Sequence, residues 1–269
     1  MRFCPIRHGG HFTMLCTRCR HFDATPDGVI CAQCAAAGAA PVAPPHGRGA
    51  WLSSPVGLGR AVAVLLGAVV AADLFAIWSD LVSYDVIGDI ADGETGAAVQ
   101  RRADSADSLF AAAGSVQTAA LLSTAVVFLV WFHRVRVNAE VFHPFGHRKK
   151  RGWAVGGWFV PIVNLWFPRR IALDIWDAST PWNAPRSHAL VNAWWAAWVI
   201  SQVAGGLAST AYRRAETAPE IARAVGQILF ADVVDVVAAV LAIIFVLTLT
   251  RMQDTKARSG PGAPVPVSG

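Results

Sequence analysis

Four runs of apolar residues set the limits on what this chain can fold into. They read "AVAVLLGAVVAADLFAIW" (61–78), "LFAAAGSVQTAALLSTAVVFLVWF" (109–132), "ALVNAWWAAWVISQVAGGLAST" (189–210) and "ILFADVVDVVAAVLAIIFVLTLT" (228–250). Each approaches or exceeds the ~20 residues that carry a helix across about 30 Å of hydrocarbon. Lipid offers no partner to a free backbone amide, so the runs are expected as helices. Charged residues make up 15% of the chain and hydrophobic ones 54%, against roughly 25% charged in soluble domains. The expected fold class is an all-α polytopic membrane helix bundle with four transmembrane helices.

A fifth apolar stretch, "GWAVGGWFVPIVNLWF" (152–167), is short, holds three glycines and is broken by Pro161. Sixteen helical residues would reach only about 24 Å, so it is expected to be a short re-entrant or interfacial segment. Charge supports that count. With four spans, eighteen of the 23 Lys and Arg fall on one side, and the other side keeps Arg101, Arg102, Arg213, Arg214 and Arg223. The positive-inside rule then places the chain in the cell membrane as a multi-pass protein, with both termini cytoplasmic. Residues 79–108, with Asp80, Asp85, Asp89, Asp92 and Glu94, become an acidic outer loop. The net charge of +5 flanks apolar runs, which argues for anionic headgroups as its partner and against nucleic acid. Met1 and Arg2 lead into polar residues, so no cleaved leader is expected and the first run stays as an anchor.

The amino-terminal region carries a different chemistry. "CTRCRHFDATPDGVICAQC" (16–34) holds Cys16-x-x-Cys19 and Cys31-x-x-Cys34 around a "TPDG" turn. Four thiolates at that spacing suit a small zinc ribbon or knuckle with a structural Zn²⁺, closed to catalysis by its four ligands. A reducing cytoplasm keeps such thiols free. The expected division is an extension over 1–13 (Met14 offers a second start), the zinc module over 14–36, a Pro/Ala/Gly-rich flexible linker over 37–55, the bundle over 56–251 and a disordered tail over 252–269.

The middle of the chain supplies a resemblance. The segments "WFHRVRVNAEVF" and "GWAVGGWFVPIVNLWFPRRIALDIW", with the Trp-bearing helix after them, resemble the domain of unknown function 4328 family over roughly 57–251. That implies a multi-pass membrane protein, often with a cysteine-bearing or Pro-rich amino-terminal extension. It implies no activity, so no catalytic residue is carried over.

Two further groups stand out. Arg136 and Glu140 are spaced to pair, as are Arg170 and Asp174, and "PRRIALDIWDAS" reads as an amphipathic helix with Pro168 in its first turn. Arg134, Asn138, Asn164, Arg169, Arg170 and Asp174 are candidates for a cytoplasm-facing polar pocket beside "HRKKR" (147–151). The plainer alternative is anchoring charges, with Asn164 satisfying backbone freed by Pro161. Asp73, Asp232 and Asp235 lie inside apolar runs, where carboxylates are costly and often mark a pathway. They are read as a candidate acid cluster, with pairing to Arg101, Arg102, Arg213 or Arg214, or simple proximity to the outer interface, as the alternative.

Three functions compete. The first is a non-enzymatic membrane protein whose zinc module docks a cytoplasmic protein. The second is a small proton-linked transporter, expected to act as a homo-oligomer because four helices enclose little space. A lipid-active enzyme comes last, since His133, His143, His147 and His188 show no triad or metal spacing.

Overall fold

Four long helices pair antiparallel and carry everything else. The computed structural model describes residues 52–144, 146–181 and 187–259, all within the compact unit Ala50–Gly269. Helix α1 spans Val56–Ala91, α2 Ala97–Phe142, α3 Trp153–Gly156, α4 Phe167–Ser179, α5 Ala189–Arg214 and α6 Ala218–Ser259, with a 3-10 turn at Val163–Leu165. There is no strand among the described residues. The zinc candidates Cys16, Cys19, Cys31 and Cys34, the linker up to Trp51 and the last ten residues lie outside the described residues.

Helices α1, α2 and α6 are each long and apolar enough to cross a membrane. Helix α5, at 26 residues, reaches about 39 Å, but Asn192, Ser201 and Gln202 make it less apolar. Leu74, Leu81, Leu122, Val126, Leu207, Phe230 and Val237 are all exposed on the outside of the bundle. In water such a surface would be an aggregation hazard; against lipid it is at rest.

The expected outer loop at 79–108 is mostly helix. Helix α1 continues past the drop in hydropathy at Ser79–Asp80 and stops at Ala91. There Gly93 takes φ +90°, its N–H donates to the Ile90 carbonyl, and the Glu94 N–H donates to the Asp89 carbonyl. This is a Schellman ending, which uses the freedom of glycine to satisfy the last carbonyls. Only 92–96 join α1 to α2, and Arg102 clamps the hairpin by pairing with Asp85 at 2.9 Å and with Asp89. Helix α6 opens on a capping box, with Glu220 Oε2 accepting from the Thr217 N–H. It runs on to Ser259, well into the stretch expected as tail.

Helix α2 packs on α1, α1 on α6, and α6 on α5, so α2 and α5 stand on opposite flanks. Helix α1 comes close to α6 where Gly59 faces Thr250. A Cβ on Gly59 would overlap Thr250 Oγ1 and lie 2.9 Å from its Cγ2. The same hydroxyl accepts a 3.1 Å hydrogen bond from Trp131 Nε1, so three helices meet at one small residue. Gly59→Ala is expected to cost about 2 kcal/mol through overpacking, read as a lower melting temperature in detergent. Unchanged melting would show that the seam has slack.

The α4 end of the bundle is an aromatic core. Trp194 stacks on Phe245 with centroids 4.4 Å apart, and Trp176 and Trp131 also meet Phe245. Pro168 sits in the first turn of α4, whose Ile171 and Ile175 are buried. Lys256 closes the other end of α4 by donating to the carbonyls of Ala178 and Thr180 at 2.8 and 3.0 Å. Stretch 152–167 forms no spanning helix. It is a four-residue turn and a 3-10 turn separated by residues 157–162, which include Pro161, with Ile162 at φ 68°, ψ −52°. The Val163 N–H donates to the Pro161 carbonyl at 2.7 Å, closing a γ-turn that strains a β-branched residue.

Candidate functional site

Asp73 and Asp80 are seven residues apart, two helical turns, and so share one face of α1. Both are buried, at 2% and 1% exposure. Opposite them, α6 brings Asp232 and Asp235, and α2 brings Gln117. The Gln117 Nε2 donates to Asp73 Oδ1 and to Asp232 Oδ1, each at 3.1 Å. The carboxyl groups of Asp80 and Asp232 lie close to one another. Buried Ala72, Ala76, Ala113 and Ala231 line the same level, and small residues let the helices come close enough for these groups to meet.

Asp73 Oδ2, Asp80 Oδ2 and Asp232 Oδ2 are buried with no protein donor aimed at them. The arginines considered as partners do not serve: Arg102 is held by Asp85 and Asp89, and Arg213 donates to Ser209 and Thr210. Among the described residues no Lys, Arg or His forms a salt bridge with any of the four acids, and no group of three acids, histidines or cysteines is arranged to hold a metal ion. Two carboxyl groups so placed can hydrogen-bond only by sharing a proton, because two carboxylates have only acceptors to offer. Exposed Leu74, Val116 and Val233 surround this level, which places the cluster inside the apolar belt.

Asp235 stands at the edge of this cluster. It sits beside the Ser201 hydroxyl and lines a groove of about 320 Å³ between the flanking helices α2 and α5. Leu66 and Ala238 form part of the floor, Trp158, Trp194 and Trp198 close one end, and Thr124 and Gln202 join Asp235 as the polar lining. Leu121, Leu122 and Phe159 stand exposed at its mouth.

A model of the domain of unknown function DUF4328 matches residues 94–251, more than half of the chain. The chain belongs to the DUF4328 family. No curated protein and no solved structure matches it. The match begins later than the resemblance, at α2 rather than α1. The acid site therefore joins Gln117 and Asp232 of the DUF4328 segment to Asp73 and Asp80 of the helix ahead of it.

Within the DUF4328 segment, the six residues of the candidate polar pocket go to separate places. Asn138 is buried: its Nδ2 donates to the Ser53 carbonyl at 2.8 Å and to Gln253 Oε1 at 3.1 Å, and its Oδ1 accepts from the Ser53 N–H. Asp174 accepts from the Arg148 N–H at 3.1 Å rather than pairing with Arg170. Arg169 donates to Asn192. Asn164 donates its backbone N–H to the Val160 carbonyl around the Pro161 break. Arg134 is half-buried and Arg170 exposed.

The expected Arg136–Glu140 pair forms at 2.7 Å, and Arg136 also donates to the Lys149 carbonyl while Arg151 pairs with Glu140. This knot folds the basic cluster back onto α2 and encloses His147. Burial pushes the His147 pKa below its ordinary 6.5, opposed by the Ala139 carbonyl and helped by Arg136, with Glu140 and Asp174 also facing the ring. A histidine with a depressed native pKa is stabilising in its neutral form above about 6.5, and that contribution is lost as pH falls toward the native value. The melting temperature should therefore drop between about pH 7 and about pH 5 more steeply in the parent than in His147→Phe. Parallel curves would contradict this.

Sequence reasoning missed Asp80, Gln117 and Ser201. The seven-residue spacing from Asp73 was the available signal for Asp80; Gln117 and Ser201 carry none.

Proposed function

We propose that this protein is a small proton-linked transporter, with Asp73, Asp80 and Asp232 as its proton site. The observation that carries the reading is the meeting of Asp80 with Asp232, without a cation, inside the apolar belt. Helices rarely keep such acids in hydrocarbon for stability alone. One proton shared among three interacting carboxyls belongs to the group, so a change at any of them releases or takes up that proton. The reading includes α5 as a fourth span and both termini on the cytoplasmic side, where the α4 end, rich in Arg and Lys, meets anionic headgroups. Self-association of these narrow bundles belongs to the same proposal.

The test uses purified protein in vesicles with an acidic interior and a trapped pH dye. A panel of amines, amino acids and sugars is added outside. One class is expected to trigger proton efflux in the parent and none in Asp73→Asn. If no class does so in the parent, the transport reading fails.

The zinc module is a separate proposal that rests on the doubled Cys-x-x-Cys spacing alone. Metal analysis of the purified chain should find about one zinc per chain. Loss of that zinc in Cys16→Ser/Cys19→Ser is also expected. A metal-free protein would end it, and with it the docking of a cytoplasmic partner.

A further inference from the structure

Access to the groove between α2 and α5 is the first constraint on what enters it. Its mouth, at Leu121, Leu122 and Phe159, opens within the apolar belt, so a hydrated ion would have to shed its water to arrive, whereas a solute already dissolved in the bilayer enters sideways. The second constraint is charge. Asp235 carries no salt bridge, and the groove lining holds no basic side chain. The carboxyls of Asp232 on its own helix and of Asp73 on α1 are close enough for their charges to act on one another. Helix α2 contributes only neutral groups here, Gln117 and Thr124, and α5 Ser201 and Gln202. An anion is repelled here, and a plain acyl chain would leave Asp235 without a complement. The third constraint is shape: at about 320 Å³ the groove falls in the range of small-molecule sites. Trp158, Trp194 and Trp198 offer π-systems of the kind that attract weakly hydrated cations.

We propose that this groove binds a lipophilic organic cation, with Asp235 as its counter-charge and the three tryptophans against its apolar body. The inference deepens the transport reading by naming a substrate class and rests on it for the coupling to protons. The binding itself stands on the groove alone. A cation arriving at Asp235 adds positive charge beside Asp232, which favours departure of the shared proton; the proton leaves to solvent and no bond other than O–H is broken.

The test is equilibrium dialysis of the full chain in phosphatidylcholine nanodiscs, with empty discs subtracted. Tetraphenylphosphonium is the probe, and tetraphenylborate is its near-isosteric anionic twin. Saturable binding of the cation and none of the anion is expected. Asp235→Asn should weaken cation binding by about tenfold or more. Leu122→Trp, at an exposed position of the mouth, should weaken it with Asp235 intact, so the proposal does not hang on one variant. Equal binding of the two ions, no saturable binding to a folded parent, or full binding by Asp235→Asn would overturn the proposal. If the cation binds but triggers no efflux from vesicles, the transport reading fails and the groove stands. If another solute class drives efflux and the cation does not bind, only the groove assignment falls.

Discussion

Asp232→Asn is expected to bring solute-triggered proton efflux down to the level of protein-free vesicles while the bundle stays folded. The side chain keeps an acceptor oxygen for Gln117 Nε2, which reaches Asp232 Oδ1 at 3.1 Å in the parent. Its new amide can donate permanently to Asp80, replacing a mobile proton with a fixed N–H. Contacts are thus conserved and only the exchangeable proton disappears. Removing one of several acids that face each other without a cation should also raise stability, by about 1 kcal/mol, the usual sign when a functional site is neutralised. Loss of efflux together with an unchanged or higher melting temperature is the expected pair of results. Loss of both would mean that Asp232 is structural.

The second large effect is expected at Gln253, which is 1% exposed. Its Nε2 donates to the Val135 carbonyl at 2.9 Å and to Ser179 Oγ at 3.1 Å, while its Oε1 accepts from Asn138. Through Asn138 the network extends to Ser53, so one glutamine ties α2, α4 and α6 to the segment that leads into α1. Gln253→Met keeps length and volume but removes three buried hydrogen bonds, those to the Val135 carbonyl, Ser179 Oγ and Asn138 Nδ2. Each is worth about 1 kcal/mol. A total loss of about 3 kcal/mol is expected, measured by chemical denaturation of the purified protein followed by circular dichroism. A change under about 0.5 kcal/mol would show that water reaches the network.

Hydropathy made the frame legible: all four apolar runs lie inside helices, and Pro161 does interrupt the stretch after α2. Short-range spacing also read well, as at Arg136–Glu140 and Pro168. What it missed was long-range. Asn138 looked like a pocket residue because its partners Ser53 and Gln253 are 85 and 115 residues away, one in the expected linker and one in the expected tail. Asp80 looked like the start of a loop because an averaged hydropathy falls at Ser79–Asp80. Burial, however, follows the face of a helix, and that face is set by what packs against it. Asp73 and Asp232 were visible as misfits in lipid, yet nothing in sequence placed Gln117 between them.

Infrared spectroscopy of the reconstituted protein addresses the shared proton directly. At a pH where exposed carboxyls are ionised, the parent should show the C=O stretch of a protonated carboxyl, sensitive to deuterium exchange, and Asp80→Asn should lose it. A parent spectrum with carboxylate bands alone would contradict a proton held between Asp80 and Asp232, and the transport reading with it.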